Sequence, residues 1–230
     1  MKETTLGILG LGSQTTAFYL KELNRVFNEI KGGYSTCPFV LLNTNFDTIN
    51  SLLPNVSEEL NEIVQASISE IENSEIEYIL IPNITLHETI DRLKLNTSIL
   101  HPLDICLTKL KENNWNKVTL FGSIHTMKSH YIRNNFAKNN IEIILPSEED
   151  MQFIDQVRKD VYAEKQTDEL IKKYHSTIEK YTENYPVILA CTELSIFKPN
   201  KKDVLDMVEL QIKEAVKTVL KHTIKYKNIQ

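Results

Sequence analysis

At 230 residues the chain has room for one large domain or two of roughly 100 to 120 residues, and a content of 41% hydrophobic and 25% charged residues is ordinary for a folded protein. A formal net charge of −5, with no basic stretch free of acids, excludes a nucleic-acid binder; Lys198, Lys201 and Lys202 read as a solvated loop cluster. No apolar run reaches the ~18 residues of a membrane span, Met1–Thr5 is too polar to open a secretory leader, and three widely spaced cysteines (Cys37, Cys106, Cys191) point to free thiols in a reducing cytoplasm.

In chain order, short β-branched apolar runs alternate with longer amphipathic stretches. Thr4–Leu9 reads as a strand followed by a helix over Ala17–Ile30. Phe39–Leu42 is the next strand, and Ser57 caps a helix that runs to Glu72. Tyr78–Ile81 is a strand, Ile105–Glu112 a helix, Val118–Phe121 a strand, Lys128–Ala137 a helix and Ile141–Leu145 a strand. Pro146 and Ser147, followed by Glu148, Glu149 and Asp150, open a helix to Tyr162, because acids in a first turn complement its positive end. Thr167–Thr182 is a helix, Val187–Ala190 a strand, and Val204–Lys221 a final helix with Leu205, Val208, Ile212, Ala215, Val216 and Val219 at helical spacing. Strands this continuously apolar suit a parallel sheet covered on both faces, so the alternation predicts an α/β fold.

Two correspondences indicate an internal duplication. Gly10 and Gly122, 112 positions apart, each end an apolar strand and lead through a polar turn to a threonine and a tyrosine-bearing helix (Thr15 and Tyr19; Thr126 and Tyr131). Tyr78–Leu86 and Pro186–Leu194, 108 positions apart, each carry an apolar strand into a polar residue, Asn83 in one and Cys191 in the other. These offsets predict two similar α/β halves, residues 1–100 with 206–230 and residues 101–205. Their parallel sheets would be related by a pseudo-twofold axis, with a site in the cleft between them where the carboxyl ends of the strands meet.

Cys191 is the leading candidate for chemistry. It follows a strand and precedes Thr192 and Glu193 at an expected helix start, where backbone N–H groups would lower a thiol pKa. Cys106, inside a helical apolar pattern, and Cys37, before Pro38, read as buried structural thiols. Glu193 is placed to orient a substrate ammonium or to tune the thiol, and its charge would raise the thiol pKa if close. His87 reads as a partner standing behind the Asn83 loop, and His101 as packing at a helix start; His125, His130, His175 and His222 receive no role. No metal site is expected, because no His, Asp or Glu cluster has ligand spacing. Gly7, Gly10 and Gly12 do not make a dinucleotide fingerprint, since Thr15 stands where its last glycine would be.

These segments resemble the aspartate/glutamate racemase family, the cofactor-independent amino-acid racemases. Gly7–Gly10 with Thr15, Thr16 and Tyr19 is similar to its N-terminal glycine loop, and Gly32–Gly33 with Val40–Leu42, Asn45 and Phe46 to its second strand. Leu120–Ser123 with Thr126, Met127 and Tyr131 resembles the family's L-G-T-x-x-T-M-x-x-x-x-Y segment. Ala190–Leu194 resembles its G-C-T-E-L motif, and Pro82–His87 occupies the place of its P-C-N-T-x-H.

The resemblance implies an enzyme acting at the α-carbon of a small acidic amino acid or carboxylate, without pyridoxal phosphate or any other cofactor, as a cytoplasmic homodimer. Two thiols would flank Cα, one as base and one as acid. Cys191 is one of them, but Asn83 stands at the other position, and an amide neither takes nor gives a proton near neutral pH. Gly12, Ser13, Thr15, Thr85, Ser123, Thr126 and Thr192 are implied to hold the substrate, and Asn45 to reach a distal carboxylate. Thr15 and Thr126 serve equally as helix caps on the sequence alone, and a turn role for Asn45 stands level with the binding one. Three readings stay open: a racemase, a single-cysteine decarboxylase or isomerase, and a dicarboxylate-binding protein that has lost turnover.

Overall fold

A computed structural model describes residues 5–74 and 76–227, with side chains described to residue 221. Thr4 and the His222 side chain therefore lie outside the described residues. The elements run β1 (Leu6–Gly10), α1 (Ser13–Lys31), β2 (Val40–Asn43), α2 (Phe46–Asn50), α3 (Glu58–Glu72), β3 (Tyr78–Leu80), α4 (His87–Ile90), β4 (Ser98–Ile99) and α5 (Pro102–Glu112). They continue as β5 (Lys117–Phe121), α6 (Ile124–Lys128), α7 (His130–Lys138), β6 (Glu142–Ile144), α8 (Glu148–Tyr162), α9 (Asp168–Thr182), β7 (Val187–Leu189), α10 (Thr192–Ile196), β8 (Val204–Asp206) and α11 (Met207–Lys227).

The chain divides into two compact units, one of residues up to His101 together with Gln211 onward, the other of Pro102–Leu210. Each holds one four-stranded parallel sheet, ordered β2-β1-β3-β4 in the first and β6-β5-β7-β8 in the second. The fold is thus α/β, with one strand order used twice. Registers repeat as well: Ile8 pairs with Leu80, and Leu120 with Ile188. Two steps further along, Gly10 comes level with Pro82 and Gly122 with Ala190, so Asn83 and Cys191 are the next residues of equivalent strands.

The core of the first unit is sheet residues Leu9, Ile79 and Ile81 under Leu60, Val64, Ile68 and Ile71 of α3. In the second, Phe121, Val187 and Leu189 lie under Met151, Ile154 and Val157 of α8 and Tyr174 and Ile178 of α9. Each such side chain contributes about 1.5–3 kcal/mol on burial, and their helical spacing fixes which helix face meets the sheet. Ser57, Ser147 and Thr167 cap α3, α8 and α9 through their side-chain oxygens.

Besides adding the short helices α2 and α4, the structure departs from the expected elements in three places. The helix expected over Lys128–Ala137 is two, because Ser129 leaves helical geometry (φ −60°, ψ 122°) and its hydroxyl accepts from the Ile132 N–H to cap α7. The helix expected from Val204 starts at Met207. Val204–Asp206 instead pairs with β7 as an edge strand, and Asp206 then accepts from the Val208 N–H. Strand β4 pairs only Ser98 and Ile99, too short a run to give a periodic signal. No helix among the described residues is long and apolar enough to cross a membrane.

Candidate active site

In the first unit the site residues collect where β1 and β3 end. Gly10 sits in close quarters: a Cβ there would lie 2.6 Å from Asn43 Oδ1 and 3.0 Å from a Leu41 methyl, so its neighbours would have to shift. The Thr44 N–H and hydroxyl both donate to the Gly10 carbonyl, at 3.0 and 3.1 Å, tying β2 to this turn. Gly12 is the N-cap of α1 and has no side chain to cap with. Thr15 is therefore not a cap; it stands half-buried in the first helical turn beside exposed Ser13. The hydroxyl that fastens the loop is Thr16, which accepts from the Leu11 N–H at 3.0 Å. Asn45 is exposed and caps α2 by accepting from the Asp47 N–H at 3.3 Å, so its side-chain oxygen serves the turn.

Asn83 is held by three bonds. Its N–H donates to the Ile81 carbonyl at 2.8 Å, its Oδ1 accepts from the Leu86 N–H at 3.0 Å, and its carbonyl meets His87 Nδ1 at 2.8 Å. With Oδ1 fixed by a backbone donor, the amide end is Nδ2, which makes no hydrogen bond among the described residues. Half-buried Asn83 therefore presents an N–H donor. Thr85 stands half-buried two residues on, in the same turn. His87 is fully buried, edge-on to the His101 ring at a centroid distance of 4.6 Å. Burial, then the His101 ring, pushes its pKa down to about 3, so His87 is neutral and its Nδ1–H donates to the Asn83 carbonyl. His101, at the start of α5, lies 3.4 Å from Asp91.

The second unit repeats the geometry with different chemistry. Gly122 again sits in close quarters, since a Cβ would lie 2.9 Å from the Thr126 methyl. Ser123 caps α6, accepting from the Thr126 N–H at 3.1 Å, and its hydroxyl lies 2.9 Å from that of buried Thr126. Thr126 is thus held by the cap and is not itself one. The Ala190 N–H donates to the Phe121 carbonyl at 2.8 Å, so the two strand ends are clamped together. Cys191 is the N-cap of α10 in extended geometry (φ −159°, ψ 132°), with Thr192 and Glu193 buried behind it.

The Cys191 thiol donates to Glu193 Oε2 at 2.8 Å. Although the residue keeps some exposure, its sulfur is desolvated, and burial followed by the Glu193 charge raises its pKa well above the usual thiol value. This overturns the expected lowering at a helix start: α10 has only five residues to supply a dipole, and the nearest charge is negative. In this state Cys191 is a protonated thiol. The other cysteines are buried free thiols, Cys37 pushed up to about 12 and Cys106 higher still by burial.

Two groups supporting this turn were missed by sequence reasoning. Asp206 Oδ1 accepts from the Ser195 hydroxyl at 2.7 Å and the Val208 N–H at 2.9 Å; the same hydroxyl lies 3.0 Å from the Cys191 carbonyl. Burial raises the Asp206 carboxyl to about 6. On α8, Asp155 accepts from the Ile124 N–H at 3.3 Å and from Arg158 Nε at 3.0 Å. The only sequence signal for either is an acid on an otherwise apolar face. Among the described residues no group of three or more His, Cys, Asp or Glu is placed to hold a metal.

The Asp/Glu/Hydantoin racemase family model matches residues 8–215, both turns included. No curated protein matches the chain. Among solved structures, an aspartate racemase homologue from Pyrococcus horikoshii superposes with a TM-score of 0.81 at 20% identity, covering 95% of this chain and 99% of that one. Aspartate racemase from Picrophilus torridus gives 0.72 at 20% identity, with 94% of each chain covered. Glutamate racemase from Francisella tularensis, in complex with D-glutamate, gives 0.55 at 16% identity over 99% of this chain and 83% of that one. At these identities the structures establish the fold, and the family model establishes membership: the chain belongs to the Asp/Glu/Hydantoin racemase family, a family of isomerases.

Proposed function

We propose that the protein is a one-thiol, cofactor-independent enzyme that moves the α-proton of a small acidic amino acid through Cys191. The observation that carries this reading is the 2.8 Å hydrogen bond from the Cys191 thiol to Glu193 at a strand end. A thiol held protonated is ready to deliver a proton to a carbanion at Cα. In the reverse direction Glu193 takes the thiol proton, and the thiolate removes the α-proton from the same face. Thr192 stands at this turn and Ser123 and Thr126 at the neighbouring one, and hydroxyls and backbone N–H groups there would hold the α-carboxylate as charge develops. Asn83 replaces the second thiol with an N–H donor, which supports one-faced exchange over symmetric racemisation. We take the working form to be a cytoplasmic homodimer; light scattering tests the stoichiometry.

The test is incubation with L- and D-aspartate and L- and D-glutamate in deuterated water. The reading requires Cα deuterium exchange with one enantiomer, retained configuration, and loss of exchange in Cys191→Ala. Exchange with neither enantiomer of either acid overturns it. The raised thiol pKa also suits an acid that only reprotonates a carbanion, as in decarboxylation. Release of carbon dioxide from a geminal dicarboxylate, without exchange into aspartate or glutamate, identifies that second reading.

A further inference from the structure

The proposed site so far offers an acidic substrate many neutral donors and one carboxylate, Glu193, but no positive charge. A dianion brought beside Glu193 needs a cation. Helix α8 supplies one, because it packs against both α6 and α10, which carry the Ser123 and Cys191 turns. Cys191 itself packs against the core cluster that contains Ile154 and Val157 of α8, and one turn after Ile154 the same helix carries Arg158, joined through Asp155 to the Ile124 N–H of the Ser123 turn.

Arg158 is held rather than loose. Its Nε donates to Asp155 Oδ1 at 3.0 Å, and that oxygen also accepts from the Ile124 N–H of the Ser123 turn. The Asp155 side chain is 7% exposed and that of Arg158 27%, against 56% for neighbouring Lys159. Lys159 Nζ takes the second Asp155 oxygen at 2.6 Å. One carboxylate is therefore shared by two cations, and the cluster keeps a net positive charge. With Nε committed, the two Nη groups of Arg158 make no hydrogen bond among the described residues, and they form the edge of the fork that pairs with carboxylates.

We infer that Arg158 binds a carboxylate of the substrate beside Cys191, with Asp155 setting the guanidinium plane. This rests on the reading that the Cys191 turn acts on a small acidic substrate. Support comes from the field at the thiol: Arg158 pulls the Cys191 pKa down, against the stronger upward push of burial and Glu193.

The test compares wild type, Arg158→Gln and Arg158→Lys by exchange kinetics and by calorimetric titration with succinate, an inert dicarboxylate. Arg158→Gln is expected to raise KM and the succinate Kd at least about tenfold, the worth of one charge-assisted hydrogen bond, while kcat at saturation changes less than about threefold. Arg158→Lys recovers part of the affinity, which a purely structural role for the Asp155 pair would not require. If Arg158→Gln does not fold, the charge-balanced double variant Asp155→Asn, Arg158→Gln takes its place. Unchanged KM and Kd in a folded variant overturn the inference while wild-type exchange leaves the proposed function standing. If the wild type shows no exchange, the proposed function fails, and succinate decides alone: binding lost with Arg158 upholds the inference. Succinate binding equal in both proteins, or absent from both, overturns it.

Discussion

The Asn83 and Cys191 turns end equivalent strands in equivalent registers, yet they are supported in opposite ways. Behind Asn83 lies a buried imidazole held neutral, donating to the Asn83 carbonyl. Behind Cys191 lies a buried carboxyl, Asp206, accepting from Ser195, with a second carboxylate, Glu193, on the thiol itself. The shared geometry comes from the glycine-ended strand beside each turn, where a Cβ would collide with a neighbouring side chain. The chemistry comes from side chains that this geometry leaves free to differ. A repeated frame thus carries one turn with a titratable thiol and one with a hydrogen-bond donor that does not titrate.

The largest effect tests that asymmetry. Cys191→Ser keeps a hydroxyl donor for Glu193 but removes a titratable thiol, and Cα exchange is expected to fall by at least about a thousandfold, within the range of general acid–base contributions. Asn83→Ala, which loses the cap on Leu86 and one donor, is expected to fall about tenfold. Comparable losses in the two variants would mean that the Asn83 donor matters to the reaction as much as the thiol, and the asymmetry would fail.

The next two effects set the turns against each other in pH. His87 has its pKa lowered in the folded state from 6.5 to about 3, so between those values the unfolded chain binds more protons. Stability from the neutral imidazole is present above pH 6.5 and is lost as pH falls towards 3, by up to about 5 kcal/mol. His87→Asn, with an N–H near the place of Nδ1, should flatten the fall in thermal midpoint over that window. Asp206 runs the other way. Its folded pKa is raised from 3.8 to about 6, so its contribution is fully present below 3.8 and is lost as pH rises through 6, by up to about 3 kcal/mol. Asp206→Asn keeps an acceptor for Ser195 and Val208 and should melt higher than wild type above pH 6, with no gain below 4. A gain that persists at low pH would show that the carboxyl is not the cause.

The frame was legible in the sequence because it is written in backbone requirements. Gly10 and Gly122, the apolar strands after which they fall, and the acids after Ser147 each answer to a local rule about space or helix ends. Asn83 and Cys191 were visible for the same reason, standing next in line at strand ends. What lay hidden was set by partners distant in sequence. The direction of the Cys191 shift depends on where the Glu193 side chain turns and on how much of α8 and α9 covers the sulfur. Arg158 and Asp155 look in sequence like a solvent-exposed i, i+3 ion pair, and only the packing of α8 on α6 and α10 ties them to the Ser123 turn. Strand β8 was misread because Leu205 and Val208 fit a helical period as well as an edge strand followed by a helix.

The smallest effect isolates the one contact that most distinguishes the two turns. Glu193 acts on the thiol twice, as the acceptor of its proton and as a nearby negative charge, and both favour the protonated form. Glu193→Gln removes the charge while leaving an acceptor oxygen, and Arg158 then becomes the dominant charge at the sulfur. Alkylation of Cys191 by iodoacetamide at pH 8 is expected to quicken severalfold, with its rate-against-pH profile moved to lower pH, because the reactive species is the thiolate. Cys37 and Cys106, both buried, are internal controls that should stay slow in both proteins. An unchanged Cys191 profile would assign the raised pKa to burial alone. Glu193 would then no longer qualify as the group that takes the thiol proton, and the base in the deprotonating direction would have to be sought elsewhere.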